Sequence, residues 1–268
     1  MKKELDILTE QYKELIKTYL DLERLNLYLI SHHSTAIEGS TLTILETEIF
    51  LEKGLTAKGK PLEHHLMVKD HYDALCFILQ SAKEKQKIDT AFIQSINGHV
   101  MRNTGTVHHT ALGDFDSSKG DLRLLNVRAG VSGDSYLSYD KVPSYLKNAC
   151  IDLSGKINEV KTVEQVNELA FLAHYQLVTV HPFVDGNGRT SRLLMNYIQA
   201  YHGQPMSIVY QEDRQEYIES LIATRKDENI QIFLSFMESQ HLKFLKEEIK
   251  KLEQAPKKEA KKNIRLLF

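Results

Sequence analysis

Apolar residues along most of this chain recur at three- and four-residue steps, the period of a helix with one buried face. Leu5, Leu8, Tyr12, Leu15, Ile16 and Leu20 open the series, and the pattern predicts helix over residues 4–38, with Gly39 as its stop. Thr43-Ile-Leu-Glu46 is a capping-box pattern that starts a second helix ending near Gly54. A third covers residues 61–82, with Pro61 in its first turn, and a fourth runs from Asp89 to about Arg102. The helical period returns at Lys141–Gly155, at Val163–Val180, and from about Arg189 to His202, where Gly203 and Pro205 end it. Residues 212–225 and 228–252 predict two more helices, and the lysine-rich Pro256–Phe268 reads as a loosely packed tail.

Residues 104–140 break the period. Gly105, Gly113, Gly120, Gly130 and Gly133 punctuate short β-prone pieces, Leu122–Val127 and Ser135–Tyr139, which predicts loops and a small hairpin. The fold class is therefore all-α, a helical bundle with one small β-hairpin and no internal repeat.

Composition narrows the function classes. Hydrophobic residues make up 42% of the 268, enough for a core without disulfides. Cys76 and Cys150 stand far apart in no metal-type spacing, which points to a reducing compartment and to two small buried side chains. A net charge of −2 argues against a nucleic-acid partner. No apolar run approaches the ~18 residues of a membrane span, and the charged start MKKELDILTEQYKEL has no apolar signal core. The expectation is a soluble, cytoplasmic protein with no membrane partner. His32/His33, His64/His65 and His108/His109 are adjacent pairs, and neighbours on a helix point about 100° apart, so none makes a metal site.

The chemistry concentrates in His181-Pro-Phe-Val-Asp-Gly-Asn-Gly-Arg-Thr-Ser-Arg192, a loop between two predicted helices. Gly186 and Gly188 let main-chain N–H groups converge, and the loop feeds a helix N-terminus, whose dipole favours an anion. Arg189 and Arg192, three apart, share a face suited to phosphate oxygens. Asp185 is a hard carboxylate suited to holding Mg²⁺ against phosphates, and Asn187 can donate its amide. His181 can take a proton from an attacking hydroxyl. Together these parts suit phosphoryl or nucleotidyl transfer. The loop lacks a P-loop lysine and follows a helix, so it is not a Walker A site.

These twelve residues resemble the Fic family motif, His-x-Phe-x-(Asp/Glu)-Gly-Asn-Gly-Arg-x-x-Arg, at every defined position. The resemblance implies the Fic fold, a helical bundle with a β-hairpin flap, with ATP as donor and Mg²⁺ as cofactor. It implies His181 as general base, Asp185 as Mg²⁺ ligand and Asn187 as an α-phosphate contact. It further implies Gly186 and Gly188 in the anion hole, Arg189 and Arg192 on the outer phosphates, and Phe183 as the buried anchor. Tyr217 lies where the family packs the adenine, and Val127–Tyr139 where it has its flap. The proline-rich stretch that follows the flap in relatives is missing here, and Pro143 alone stands there.

Upstream, Ser34-Thr-Ala-Ile-Glu38-Gly39 resembles the family's inhibitory motif, (Ser/Thr)-x-x-x-Glu-(Gly/Asn), and Gly59-Lys-Pro-Leu-Glu-His-His-Leu66 resembles the segment after it. Its place before the loop implies the class whose inhibitory helix is N-terminal in the same chain. A Glu38–Arg192 pair would keep that arginine from the γ-phosphate, and a 99:1 closed state needs only about 2.7 kcal/mol. The implied organisation is residues 1–85 as an N-terminal helical region with the inhibitory helix, 86–240 as the catalytic core and 241–268 as a C-terminal helical tail. The chain ends before the winged-helix domain that some relatives append.

The activity this implies is AMP transfer from ATP to a Ser, Thr or Tyr hydroxyl of a target protein, restrained by Glu38. Self-modification and a homodimer fit the family. The alternatives are removal of AMP from the target, another nucleotide donor, or a non-catalytic nucleotide-binding regulator. Kinase-like relatives have an altered glycine–asparagine–glycine segment, whereas Gly186-Asn187-Gly188 is intact.

Overall fold

A computed structural model describes residues 2–17, 22–128, 133 and 135–254. Among the described residues ten α-helices carry the architecture. The first two are α1 (Lys2–Ile16) and α2 (Leu22–Ile37), where the apolar period predicts one continuous helix; residues 18–21 of that stretch lie outside the described residues. Tyr12 packs on Phe244 with ring centroids 5.6 Å apart, and the Asn26 amide donates to the Tyr12 hydroxyl at 2.6 Å, tying the two helices together.

Helix α3 (Ile44–Lys53) starts at the predicted capping box, with Thr43 and Glu46 bonded reciprocally. Helix α4 (Leu62–Lys83) buries Val68, His71, Ala74, Leu75, Ile78 and Ala82, one stripe at helical spacing. Asp89 caps α5 (Thr90–Val100). Beyond the loops come α6 (Val142–Lys156) and α7 (Val163–Val180), the latter started by a second capping box, Thr162 with Gln165. Helix α8 (Asn187–Tyr201) is buried on nearly every side and packs on α4, α5 and α7. It is the axis of the bundle. Helices α9 (Arg214–Lys226) and α10 (Ile230–Gln254) complete it, with α10 lying along α1, α7 and α9.

The regular hairpin is not where β-propensity puts it. Strands β1 (Val107–Thr110) and β2 (Gly113–Asp116) pair antiparallel, Val107 opposite Asp116 and Thr110 opposite Gly113. Leu122–Val127 and Ser135–Tyr139 do oppose each other, but through one Arg128–Ser135 bridge and a Tyr136 N–H donated to the Val127 carbonyl at 3.1 Å. The reason is tertiary. The Arg123 N–H pairs with the Pro182 carbonyl at 3.1 Å, so this segment is drawn toward the 181–192 loop instead of a neighbouring strand. Residues 129–132 and 134 of the expected flap lie outside the described residues. No helix among the described residues is long and apolar enough to cross a membrane. The predicted tail falls at residues 255–268, also outside them.

Candidate active site

Helix α7 delivers His181 by stopping one residue before it. His181 adopts a left-handed backbone (φ 51°, ψ 59°), and its N–H closes the helix on the Leu177 carbonyl at 3.0 Å. Its Nδ1 faces the Val178 carbonyl at 3.3 Å, which assigns the proton to Nδ1 and leaves Nε2 as the basic nitrogen. The Tyr136 ring stacks on the imidazole at 3.7 Å between centroids. Burial, aided by the charges of Arg123 and Arg225, pushes the His181 pKa down to about 4, so the ring is neutral near pH 7.

Phe183 is buried at 1% exposure and anchors the loop. Asn187 clasps the Phe183 main chain from both sides, accepting from its N–H at 3.0 Å and donating to its carbonyl at 2.9 Å. The amide expected on a phosphate is thus half committed to shaping the loop, with one N–H left over. Asp185 accepts from the Gly186 N–H and lies 3.5 Å from Arg189 Nη2, its side chain largely exposed. Gly186 is needed for its left-handed backbone, and Gly188 lies close against Glu38. A Cβ on Gly186, at φ 76°, would meet Asn97 Nδ2 at 2.8 Å, and one on Gly188 would meet Glu38 Oε1 at 2.4 Å.

The two arginines project from the first two turns of α8 into the interior. Arg189 touches Met101 Sδ at 3.4 Å, while its Nε and Nη1 have no hydrogen-bond partner. Arg192 donates from Nε to Ser34 Oγ at 2.9 Å and from Nη2 to the Ser34 carbonyl at 2.8 Å and Glu38 Oε1 at 2.6 Å; its Nη1 makes no bond. Buried guanidinium nitrogens without acceptors mark a receptor for an anion. His71 and His174 flank this pair and stay neutral, chiefly through burial and secondarily through Arg192, with His174 pushed to about 3.

Glu38 completes the cluster. A third of its side-chain surface opens to the cleft, yet its charged end lies among guanidiniums. Burial alone would raise its pKa, but the Arg192 charge and hydrogen bond, with Arg189 and Arg214, outweigh that and hold the carboxyl below its ordinary value. Arg214 also donates Nε to the Ile37 carbonyl at 2.7 Å. Gly39, at φ 105°, turns the chain away.

Tyr217 does not open onto the cleft. It is 2% exposed, its hydroxyl meets His174 Nε2 at 3.0 Å, and its ring lies 6.0 Å from the Arg192 guanidinium. A buried phenol needs a partner, and His174 supplies it, so the side chain backs Arg192 in place of a base. The open wall of α9 is formed by Ile218, Leu221, Ile222 and Arg225 instead. Two adjoining spaces result. A polar one of about 240 Å³ meets Glu38, His181, Asp185 and Gly188, and an apolar one of about 440 Å³ meets Tyr175, Val178 and the α9 wall; Tyr136 borders both.

Asn97, Arg123 and Tyr136 are among the residues of this site that went unread in the sequence. Asn97 donates Nδ2 to the Asp185 carbonyl and to Thr190 Oγ1, each at 3.1 Å. Its signal is a polar residue on the buried stripe Ile93, Ile96, Val100.

The Fic/DOC family model matches residues 87–199, the span from α5 through the loop and most of α8. Residues 87–199 form a Fic/DOC domain. It is 34% identical over 198 residues to "Protein adenylyltransferase fic-1" of Caenorhabditis briggsae, which covers 72% of this chain and 36% of that protein. The Drosophila melanogaster "Protein adenylyltransferase Fic" is 33% identical over 192 residues, 69% of this chain and 35% of the relative. The chain therefore spans about a third of the length of the curated relatives it matches. A solved Fic-1 structure from Caenorhabditis elegans superposes with a TM-score of 0.76 at 26% identity, covering 95% of this chain and 73% of that one. A Fic-domain-containing signaling protein from Bacteroides thetaiotaomicron superposes at 0.78 and 24% identity, covering 96% and 99%. The helical Fic fold is thus common to all of them.

Proposed function

We propose that this chain is a protein adenylyltransferase, moving AMP from ATP to a hydroxyl of a target protein, and that Glu38 holds it in an inhibited state. One observation carries the proposal: Glu38, taking the anion's place, lines the same small cleft as the neutral His181, and behind it sits its partner Arg192, which with Arg189 has buried guanidinium nitrogens without hydrogen-bond partners. The polar space suits a triphosphate and the apolar space beside it suits a base.

In the reaction, the target hydroxyl oxygen attacks the α-phosphorus, His181 Nε2 takes its proton, and the bond to the leaving pyrophosphate breaks. The main-chain N–H of Gly188 and the two arginines neutralise the charge, joined by the Gly186 N–H once it turns from Asp185. Asp185, with one oxygen uncommitted, fits Mg²⁺, which takes one or two carboxylates and completes its shell with phosphates and water. Among the described residues no three His, Cys, Asp or Glu side chains could hold a metal by themselves, so the ion fits this site only together with phosphates. When bound, it would neutralise phosphate charge. Glu38 must leave Arg192 before the γ-phosphate can take its place.

The test is incubation of the wild type, Glu38→Gly and His181→Ala in the Glu38→Gly background with ATP labelled at the α- or γ-phosphate, in a lysate. The expected result is α-label on protein, stronger with Glu38→Gly and reduced about 10²- to 10⁴-fold by His181→Ala. Label from γ alone would make the chain a kinase, and no label with Glu38→Gly would make it a nucleotide-binding regulator.

A further inference from the structure

Among the described residues Arg123 is the largest fully enclosed side chain, at 1% exposure, and no acidic group there pairs with it. A buried cation without a counter-charge is costly, and an apolar side chain would fill the same volume without that cost. Its donors go to carbonyls. Nε reaches His181 O at 2.8 Å, Nη1 reaches Leu125 O at 2.7 Å, and Nη2 reaches Leu137 O, while its main-chain N–H holds Pro182 O at 3.1 Å.

These acceptors fall in two groups. His181 and Pro182 form the left-handed turn at the mouth of the site, a backbone state that a non-glycine residue keeps only when its surroundings enforce it. Leu125 and Leu137 stand at the two feet of the segment that carries Tyr136 onto the His181 ring. A guanidinium fork can serve three carbonyls in fixed directions, and an ammonium cannot.

Resting on the adenylyltransferase reading, we infer that Arg123 is a positioning residue for the transfer. It holds the His181 main chain in its turn and fixes both feet of the Val127–Tyr139 segment to that turn. The proton acceptor and the segment bordering the target's approach then keep one register. Arg123 touches neither nucleotide nor target, so its loss should affect the rate at saturating ATP and leave ATP affinity alone.

Arg123→Lys and Arg123→Met in the Glu38→Gly background test this, beside Asn126→Ala. The last removes only the Asn126 Oδ1 contact to the Tyr139 N–H, 3.0 Å, and leaves His181 untouched. Three quantities are read: ATP affinity by titration, label transfer from α-labelled ATP in lysate at saturating nucleotide, and amide exchange at Tyr136. The expected result for Arg123→Lys is native circular dichroism, unchanged ATP affinity, faster exchange at Tyr136, and transfer lowered roughly ten- to a hundredfold. Asn126→Ala should speed exchange with a smaller loss of transfer. Parental transfer by Arg123→Lys overturns the inference, as do ATP affinity falling in step with transfer, or loss of the native fold in both Arg123 variants. If the parent transfers no label, the adenylyltransferase reading fails while exchange at Tyr136 still reports whether Arg123 holds the segment.

Discussion

Arg192 spends its Nε and Nη2 on Ser34 and Glu38 and keeps Nη1 free, so one residue both carries the anion site and closes it. Because the folded state holds the Glu38 carboxyl below its ordinary 4.5, the folded chain takes up this proton less readily than the unfolded chain. The contact therefore adds stability above about pH 4.5 and loses it as pH falls through the folded value. Denaturant melts of wild type and Glu38→Gln should differ near about pH 7, and the difference should shrink as pH falls below about 4.5. His181 behaves in its own way. With its pKa at about 4, the imidazole is already a free base across neutral pH. The kcat/KM of Glu38→Gly should then be flat through neutrality, with an acid limb near 4; a limb near 6.5 would contradict the burial of this ring.

At the scale of elements, α7 aims His181, and its start rests on the Thr162–Gln165 capping box nearly thirty ångströms of helix away. Thr162→Ala should cost about 1 kcal/mol, read as a melting temperature lowered by ~2–4 °C, with label transfer unchanged at room temperature. The helices were legible in sequence because their signals are local: caps at Thr43 and Thr162, and apolar stripes such as that of α4. The loop was legible for the same reason, its glycines, acid and arginines lying within twelve residues. Arg123, Asn97 and Tyr136 were not, because each acts on a loop some 45 to 90 residues away in the chain, and nothing in Leu122–Val127 betrays a buried arginine. The expected place of Tyr217 on the cleft is the reading the structure changes. Tyr217 and Ile218 lie on different faces of α9, and burial chose the phenol for the interior.

For the molecule as a whole, the helix that ends just before Glu38 is part of the core. Helix α2 buries Tyr28, Ile30, Ala36 and Ile37 and packs on α3, α4 and α8. Undocking it would expose that surface, whereas Glu38 follows its last turn and precedes the glycine at φ 105°. Release is then a local swing. Amide exchange on adding ATP and Mg²⁺ should change at residues 38–41 while α2 stays protected; loss of protection along α2 would mean that the whole helix leaves.

Glu38 and Arg192 are 154 positions apart and belong to one polypeptide. A brake supplied by a separate subunit can be outnumbered or diluted away. On the proposed reading, this one is synthesised in a fixed one-to-one ratio with what it restrains and faces it at the same effective concentration in every compartment. Changes in expression level cannot loosen it. Only an event at the carboxylate's own end of the helix can: a ligand that competes for the guanidinium, or a surface that pulls the turn aside.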